Sequence, residues 1–231
     1  MKVTSPAFKD NVAAALGDPT LQKALKFVQG GFITKRAQAA AELPEFEALR
    51  DAARDLKTHV LGHLDLYLEA YEKKVIASGG QVHWAETAED ARRIVADICR
   101  RLGAKTVTKG KSMITEEIAL NDHLEAEGFQ PVETDLGEYI IQLRGEHPSH
   151  IIAPAVHLTK EQVAADFRRV HDHLDANRDL SEAVTMLGEA RAVLREKFLI
   201  ADVGITGANF LVAETGTSII VTNEGNGDLT Q

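Results

Sequence analysis

One cysteine is all the thiol chemistry in this 231-residue chain, and that scarcity excludes two classes at once. Cys99 alone can close no disulfide within the chain and can build no all-cysteine iron–sulfur site. Positive charge is also short: 26 Lys and Arg stand against 35 Asp and Glu, a formal net charge of −9. An electrostatic grip on nucleic acid needs clustered positive charge facing the phosphates, so no nucleic-acid partner is expected. No apolar run approaches the roughly 20 residues of a membrane helix. The opening "MKVTSPAFKDNVAAALGD" lacks the continuous apolar core of a secretory signal. What is present, 44% apolar and 26% charged residues, is the ordinary make-up of a soluble globular protein, expected here in the cytoplasm. The length suffices for one large domain, or for one domain with a helical arm.

The pattern divides at about residue 80. In the stretch 44–80, apolar residues recur at Leu49, Ala53, Leu56, Val60, Leu64, Tyr67, Tyr71 and Val75. That spacing predicts one long helix over 45–78, disturbed only by Gly62 and stopped by Gly79-Gly80. A long helix with one apolar face must lie along something, so residues 1–80 read as an N-terminal helical arm. From Gln81 to Gln231 strand and helix signals alternate. Strands are expected at 81–85, 106–108, 129–135 and 149–154. Helices are expected at 88–102, where Thr87 supplies the opening residue and Gly103 the stop, and at 115–128, with a shorter one at 137–144. Thr159 and Gln162 form a capping-box pattern ahead of another helix running to about Leu174, and 181–202 is helical again. Two β-rich segments joined at Glu214-Thr215-Gly216 close the chain. The alternation predicts an α/β fold, a mostly parallel sheet flanked by helices, with ligands collecting at the carboxyl ends of its strands.

One stretch bears on function directly. "KGKSMITEEI", residues 109–118, lies between the strand 106–108 and a helix. Gly110-Lys111-Ser112 matches the last three residues of a phosphate loop, but the first glycine of that motif would fall at Lys105, and no loop is left to wrap a phosphate. Two readings stay open. Lys109, Lys111 and Ser112, with the following helix N-terminus, form a looser site for a carboxylate or phosphate; or they are a solvated lysine pair at a strand end. Glu133 and Asp135, at the end of a later strand, could supply acid–base chemistry or simply cap a turn. His59 and His63 have the four-residue spacing of a metal pair without the glutamate of a metalloprotease motif, which favours surface or packing roles. His171 and His173 point to different faces of the expected helix and cannot share a metal. Among His147, His150 and His157, one near a ligand is credible. Cys99 continues the amphipathic pattern of Ile94, Val95, Ile98 and Leu102 and reads as a core thiol.

Four segments carry a resemblance: "GGQVHWAETAEDA", "KGKSMITEEIALNDHLEAEGF", "VETDLGEYIIQLRGEHPSHIIAPAVH" and "GITGANFLVAETGTSIIVTNEGNGD". Together they resemble the lactate-utilisation protein B family, bacterial iron–sulfur proteins with a LUD domain, and identify 81–231 as LUD-like. The resemblance implies a part in oxidising L-lactate to pyruvate, as one subunit among others that pass electrons onward. It also implies a sheet similar to that of ribose-5-phosphate isomerases and CoA transferases. In that wider group ligands and catalytic carboxylates gather at strand ends, which points to Lys111-Ser112, to Glu133-Thr134-Asp135 and to Glu214-Thr215-Gly216-Thr217. Glu214 and Asp135 are the catalytic candidates it offers; Lys109, Lys111, Ser112, Glu133, Thr134, His150, Thr215, Gly216 and Thr217 are the ligand-binding ones.

Full-length family members continue into a ferredoxin-like region with cysteine motifs for [4Fe–4S] clusters. The expectation here is a LUD portion cut before that region, incomplete at its C-terminus, with no metal and no cluster of its own. Three functions follow: a subunit portion that binds a small anion or docks partner subunits; an isomerase- or CoA-transferase-like enzyme using Glu214; or an interaction scaffold. A homo-oligomer is expected, most simply a dimer through the helical arm or the 217–222 strand.

Overall fold

The computed structural model describes residues 5–110, 112–222 and 224–231, with the side chains of 27–30 left aside. By internal packing the chain divides into two compact units, one of residues 1–25, 85–207 and 221–231 and one of 26–84 and 208–220. The helices are α1 (Phe8–Gly17), α2 (Pro19–Ala41), α3 (Phe46–Gly62), α4 (Leu64–Ala77), α5 (Ala88–Arg101), α6 (Met113–Glu117), α7 (Leu120–Ala126), α8 (Leu136–Arg144), α9 (Lys160–Val170), α10 (Ala183–Ile200) and α11 (Asn226–Thr230). The strands are β1 (Thr106–Lys109), β2 (Gln130–Glu133), β3 (Val203–Ile205), β4 (Phe210–Val212) and β5 (Thr217–Ile219).

In the first unit the strands form a parallel sheet of order β2-β1-β3. The central strand is buried along its whole length, as a parallel strand covered by helices on both faces must be. One apolar cluster gathers Ala96 and Cys99 of α5, Val107 of β1 and Leu120 and Leu124 of α7. The other gathers Tyr139 and Ile140 of α8, Phe167 of α9 and Met186, Ala190 and Leu194 of α10, with Val132 of β2 against it. This is the α/β sheet flanked by helices that the alternating pattern predicts.

Local chemistry fixes the ends of these elements. Thr87 accepts a hydrogen bond from the Asp90 backbone N–H, and Thr159 with Gln162 completes the expected capping box. Asp202 holds the start of β1 against the entry to β3: its Oδ2 accepts the N–H groups of Thr106 at 3.0 Å and Lys105 at 2.7 Å. Those two backbone bonds hold the Asp202 carboxyl below its ordinary value.

Several expectations are revised. Residues 81–85 form no regular element and join no ladder, and Trp84 instead donates its indole N–H to Glu72 at 3.0 Å. Residues 149–154 are bends and turns, with Ile151 and Ile152 67% and 74% exposed, so an apolar pair that read as a buried strand lies in solvent. The helix expected over 45–78 is two, α3 and α4, parted at His63 after Gly62 (φ −136°, ψ 34°). The helix expected over 115–128 is also two, parted by Ala119 in the left-handed region at φ 51°. That conformation is uncommon for a residue with a Cβ, and no sequence rule placed it there. The helix after Thr159 ends at Val170, which leaves His171 as its C-cap and His173 beyond it. The short strand β3 was not anticipated.

The second unit contains α3, α4 and the antiparallel hairpin β4–β5, with Phe210 opposite Ile219. The sequence reading drew one boundary at residue 80; packing groups the hairpin 208–220 with the helical residues 26–84. Gly216 makes this packing possible. It adopts φ +75°, and a Cβ there would fall 2.7 Å from the backbone nitrogen of Val75. Tyr71 of α4 and Ser218 of β5 share a hydrogen bond of 2.7 Å.

Candidate functional site

Parallel register builds the site. Lys109 is the last residue of β1 and Glu133 the last of β2, and the two are register partners. Equivalent positions on neighbouring strands point to the same face, so the ammonium and the carboxylate meet at the carboxyl ends of the strands. Lys109 is wholly buried and Glu133 is 3% exposed. Nζ of Lys109 donates to Glu133 Oε1 at 2.5 Å and to Asn121 Oδ1 at 2.7 Å. Asn121, near the start of α7, closes the triangle by donating Nδ2 to the same Glu133 oxygen at 2.7 Å. Glu116 of α6 stands further off, its Oε1 3.9 Å from Nζ.

Above this triangle lies a cavity of about 200 Å³. Its lining includes Glu116, Asn121, Asp122, Glu125, Glu133 and His147. Burial pushes the Glu116 carboxyl up from its ordinary value; Lys109 pulls against this, while the negative charges of Glu133 and Asp122 add to it. Gln142 turns inward, accepting the Glu133 N–H through Oε1 and donating Nε2 to the Pro131 carbonyl. Ala119, the left-handed residue between α6 and α7, also lines the cavity.

Beside the triangle, the described strand-end candidates make local contacts. Thr134 is buried and donates its hydroxyl to the Lys109 carbonyl at 2.7 Å. Asp135 is the N-cap of α8, its Oδ1 accepting from Gly137 and Glu138. Ser112 caps α6 through the Thr115 N–H. Lys111 lies outside the described residues. His150 Nδ1 accepts the N–H groups of Ile152 and Ala153 and so staples its own loop. The anion site anticipated at Lys109 therefore finds its ammonium already engaged by Glu133.

Glu214, Thr215, Gly216 and Thr217 lie at the β4–β5 turn of the other unit. Glu214 is exposed and borders a shallow, mostly apolar cavity of about 500 Å³ with His59, His63, Tyr67 and Lys74. The rings of His59 and His63 lie with centroids 4.7 Å apart, tilted by 33°, and both residues are exposed. Among the described residues no group of three His, Cys, Asp or Glu side chains is placed to hold a metal ion. Cys99 is wholly buried, and burial pushes its thiol above the ordinary value, which opposes the thiolate that a cluster iron requires. This chain's described residues do not fit an iron–sulfur cluster. Among them no helix is long and apolar enough to cross a membrane.

Sequence reasoning singled out Lys109 and Glu133 but missed Glu116 and Asn121. A lysine ending a buried strand was the available signal, since a buried ammonium demands acceptors nearby.

Comparison with known proteins agrees over the whole length. The LUD domain family matches residues 68–231. Lactate utilization protein B of Bacillus velezensis is 45% identical over 230 residues, 99% of this chain and 48% of that protein. Its counterpart in Bacillus subtilis is 44% identical, covering 99% of this chain and 47% of that protein. A protein of Escherichia coli named an uncharacterized electron transport protein, YkgF, is 41% identical over 227 residues, 98% of this chain and 47% of its own length. The chain thus spans about half the length of the curated relatives it matches. No solved structure matches it. On the family match and on the identity to these relatives, the chain belongs to the LUD domain family.

Proposed function

We propose that this chain is the LUD-domain portion of a lactate-utilisation subunit, acting within a larger protein in the oxidation of L-lactate to pyruvate and the onward passage of electrons. The supporting observation is identity of 45% and 44% to two proteins named lactate utilization protein B, spread over 99% of the chain rather than confined to one motif. The electron-carrying part of this reading belongs to the whole protein, because the residues described here do not fit a cluster. The isomerase-like reading is not favoured: Glu214 is exposed at a hairpin turn. The Lys109 ammonium is already paired with Glu133, which argues against a small-anion site on that side chain. Complementation tests the function. In a Bacillus subtilis strain lacking its own lactate utilization protein B, a chimera carrying this chain in place of the matching half should restore growth on L-lactate. Accumulation of the chimera without growth would overturn the reading.

Partners within such a system include other subunits and, on the surface chemistry, a second copy of this chain. Among the described residues β4 and β5 pair only with each other. Phe210, Leu211 and Ile219 of that hairpin are 57%, 51% and 40% exposed. A two-stranded ribbon with open edges and apolar faces is a ready template for self-pairing. Light scattering at micromolar concentration should give twice the 25.2 kDa chain mass; a clean monomer would count against it.

A further inference from the structure

Residues 145–159, between α8 and α9, contain no helix or strand, and side-chain hydrogen bonds set their path. The base of this loop is closed twice over. Ser149 donates its backbone N–H to the Pro154 carbonyl at 3.0 Å and its hydroxyl to the same oxygen at 2.9 Å. Pro154 in turn lies against Gly137 of α8, where an added Cβ would fall 2.9 Å from the proline Cγ. His157 spans the base, with Nδ1 2.8 Å from Ser149 Oγ and Nε2 3.0 Å from Glu146 Oε2. Arg144 of α8 pairs with Glu146 and also with Asp166 of α9.

The tip depends on a different histidine. Nδ1 of His150 accepts the N–H of Ile152 at 3.1 Å and that of Ala153 at 3.2 Å. A ring nitrogen accepts only when it carries no proton, so these two bonds require a neutral His150 with its hydrogen on Nε2. Protonation would set a third N–H against the other two, and the ring would turn away. His150, Ile151 and Ile152 are exposed, so water can take the freed N–H groups and the change costs little. The base answers a proton differently. A protonated His157 donates from both nitrogens, to Glu146 and to Ser149, while the Ser149 hydroxyl hydrogen goes to Pro154. A neutral His157 keeps both of its bonds by accepting that hydrogen on Nδ1. The base therefore stays closed in either state.

We propose that His150 is a proton switch on this loop. Neutral, it folds the tip and holds Ile151 and Ile152 as a fixed apolar knob; protonated, it releases them while the base stays closed. Histidine ordinarily exchanges its proton between about pH 5 and 8, so the switch works near neutrality. The charged and titratable groups around the loop are Glu146, His147 and His157 within it, Arg144 of α8, Asp166 of α9, and Glu116 of α6, whose carboxyl feels the charge of His147. Gly145, Glu146 and His147 line the strand-end cavity, so the switch acts at the rim of that cavity. It goes beyond the lactate reading and does not rest on it.

A solution NMR titration of the full chain between about pH 5 and 8 tests the switch. At the upper end the His150 ring should show the Nε2–H tautomer. On acidification the amide resonances of Ile152 and Ala153 should shift together, with the midpoint of the His150 ring, while that of Ser149 stays in place. His150→Asn supplies a non-titrating acceptor of the kind that closes such turns, and should hold both amides fixed through the range. His150→Phe supplies none, and should leave both amides near their acidic positions at every pH. Amides that ignore the His150 titration would overturn the switch. So would amides that still titrate in His150→Asn, or that keep their neutral wild-type positions in His150→Phe. A Ser149 amide moving with the other two would also overturn it, because the loop would then be melting as a whole.

Discussion

Replacing Glu189 by alanine should lower stability by about 3–5 kcal/mol, the cost of removing one partner from a buried charged pair. Glu189 lies on α10 with its side chain 7% exposed. Oε2 accepts Nε of Arg178 at 2.6 Å, and Oε1 accepts Nη2 of Arg178 at 2.9 Å and meets Nδ1 of His171 at 2.7 Å. The other imidazole nitrogen of His171 shares a 2.7 Å hydrogen bond with the Tyr139 hydroxyl. A single chain of polar contacts thus ties α8, the end of α9, the loop after it and α10 together inside an apolar cluster. Alanine at 189 would strand a guanidinium and an imidazole there, and would leave a cavity besides. Burial, with Glu189 adding to it, pushes the Tyr139 hydroxyl up to about 12, so Tyr139→Phe removes a neutral partner and should cost only about 1–3 kcal/mol. Urea midpoints at constant slope measure both. Equal midpoints for wild type and Glu189→Ala would show the chain of contacts to be energetically idle.

The same carboxylate sets an acid limit. Burial alone would raise its pKa, but hydrogen bonds from Arg178 and His171 outweigh burial and hold it below its ordinary 4.5. A depressed folded-state pKa contributes stability that is complete above the unfolded value and is lost as pH falls through the folded one. The urea midpoint of the wild type should therefore drop on acidification below about pH 4.5, and that of Glu189→Gln should drop less.

Local chemistry made much of the fold legible. Thr87, Thr159 with Gln162, and Gly103 marked helix ends because capping depends on residues one to three positions apart. The alternation of short apolar runs with amphipathic stretches disclosed the parallel sheet. The errors came where an apolar pattern had no partner to pair with: Val82 and Trp84 lie in an irregular segment without a ladder, and Ile151 and Ile152 sit in a bend. Strand formation is a property of the neighbour as much as of the segment. The left-handed Ala119 was invisible for the opposite reason, since alanine is the strongest helix former and nothing in its sequence neighbours marks a break. At the site, Lys109 and Glu133 were each noticed, but as an anion-binding cation and an acid–base carboxylate. That they are partners depends on the register of β1 with β2, which brings together residues 24 positions apart. Glu116 and Asn121 reach the same point only because α6 and α7 break where they do.

The Lys109–Glu133 pair yields the second large effect. Lys109→Met keeps much of the side chain's length and removes its charge, leaving Glu133 buried with, among the described residues, Asn121 donating to it; the loss should be about 3–5 kcal/mol. Glu133→Leu strands the ammonium instead, and should cost a similar amount. The double variant removes both charges, and because two apolar side chains can replace a buried ion pair at little cost, it should recover most of the loss. A double-mutant cycle on the urea midpoints would then give a large coupling energy, well above the roughly 0.3–0.5 kcal/mol within which independent sites add. Additive losses would mean that the two side chains do not depend on one another.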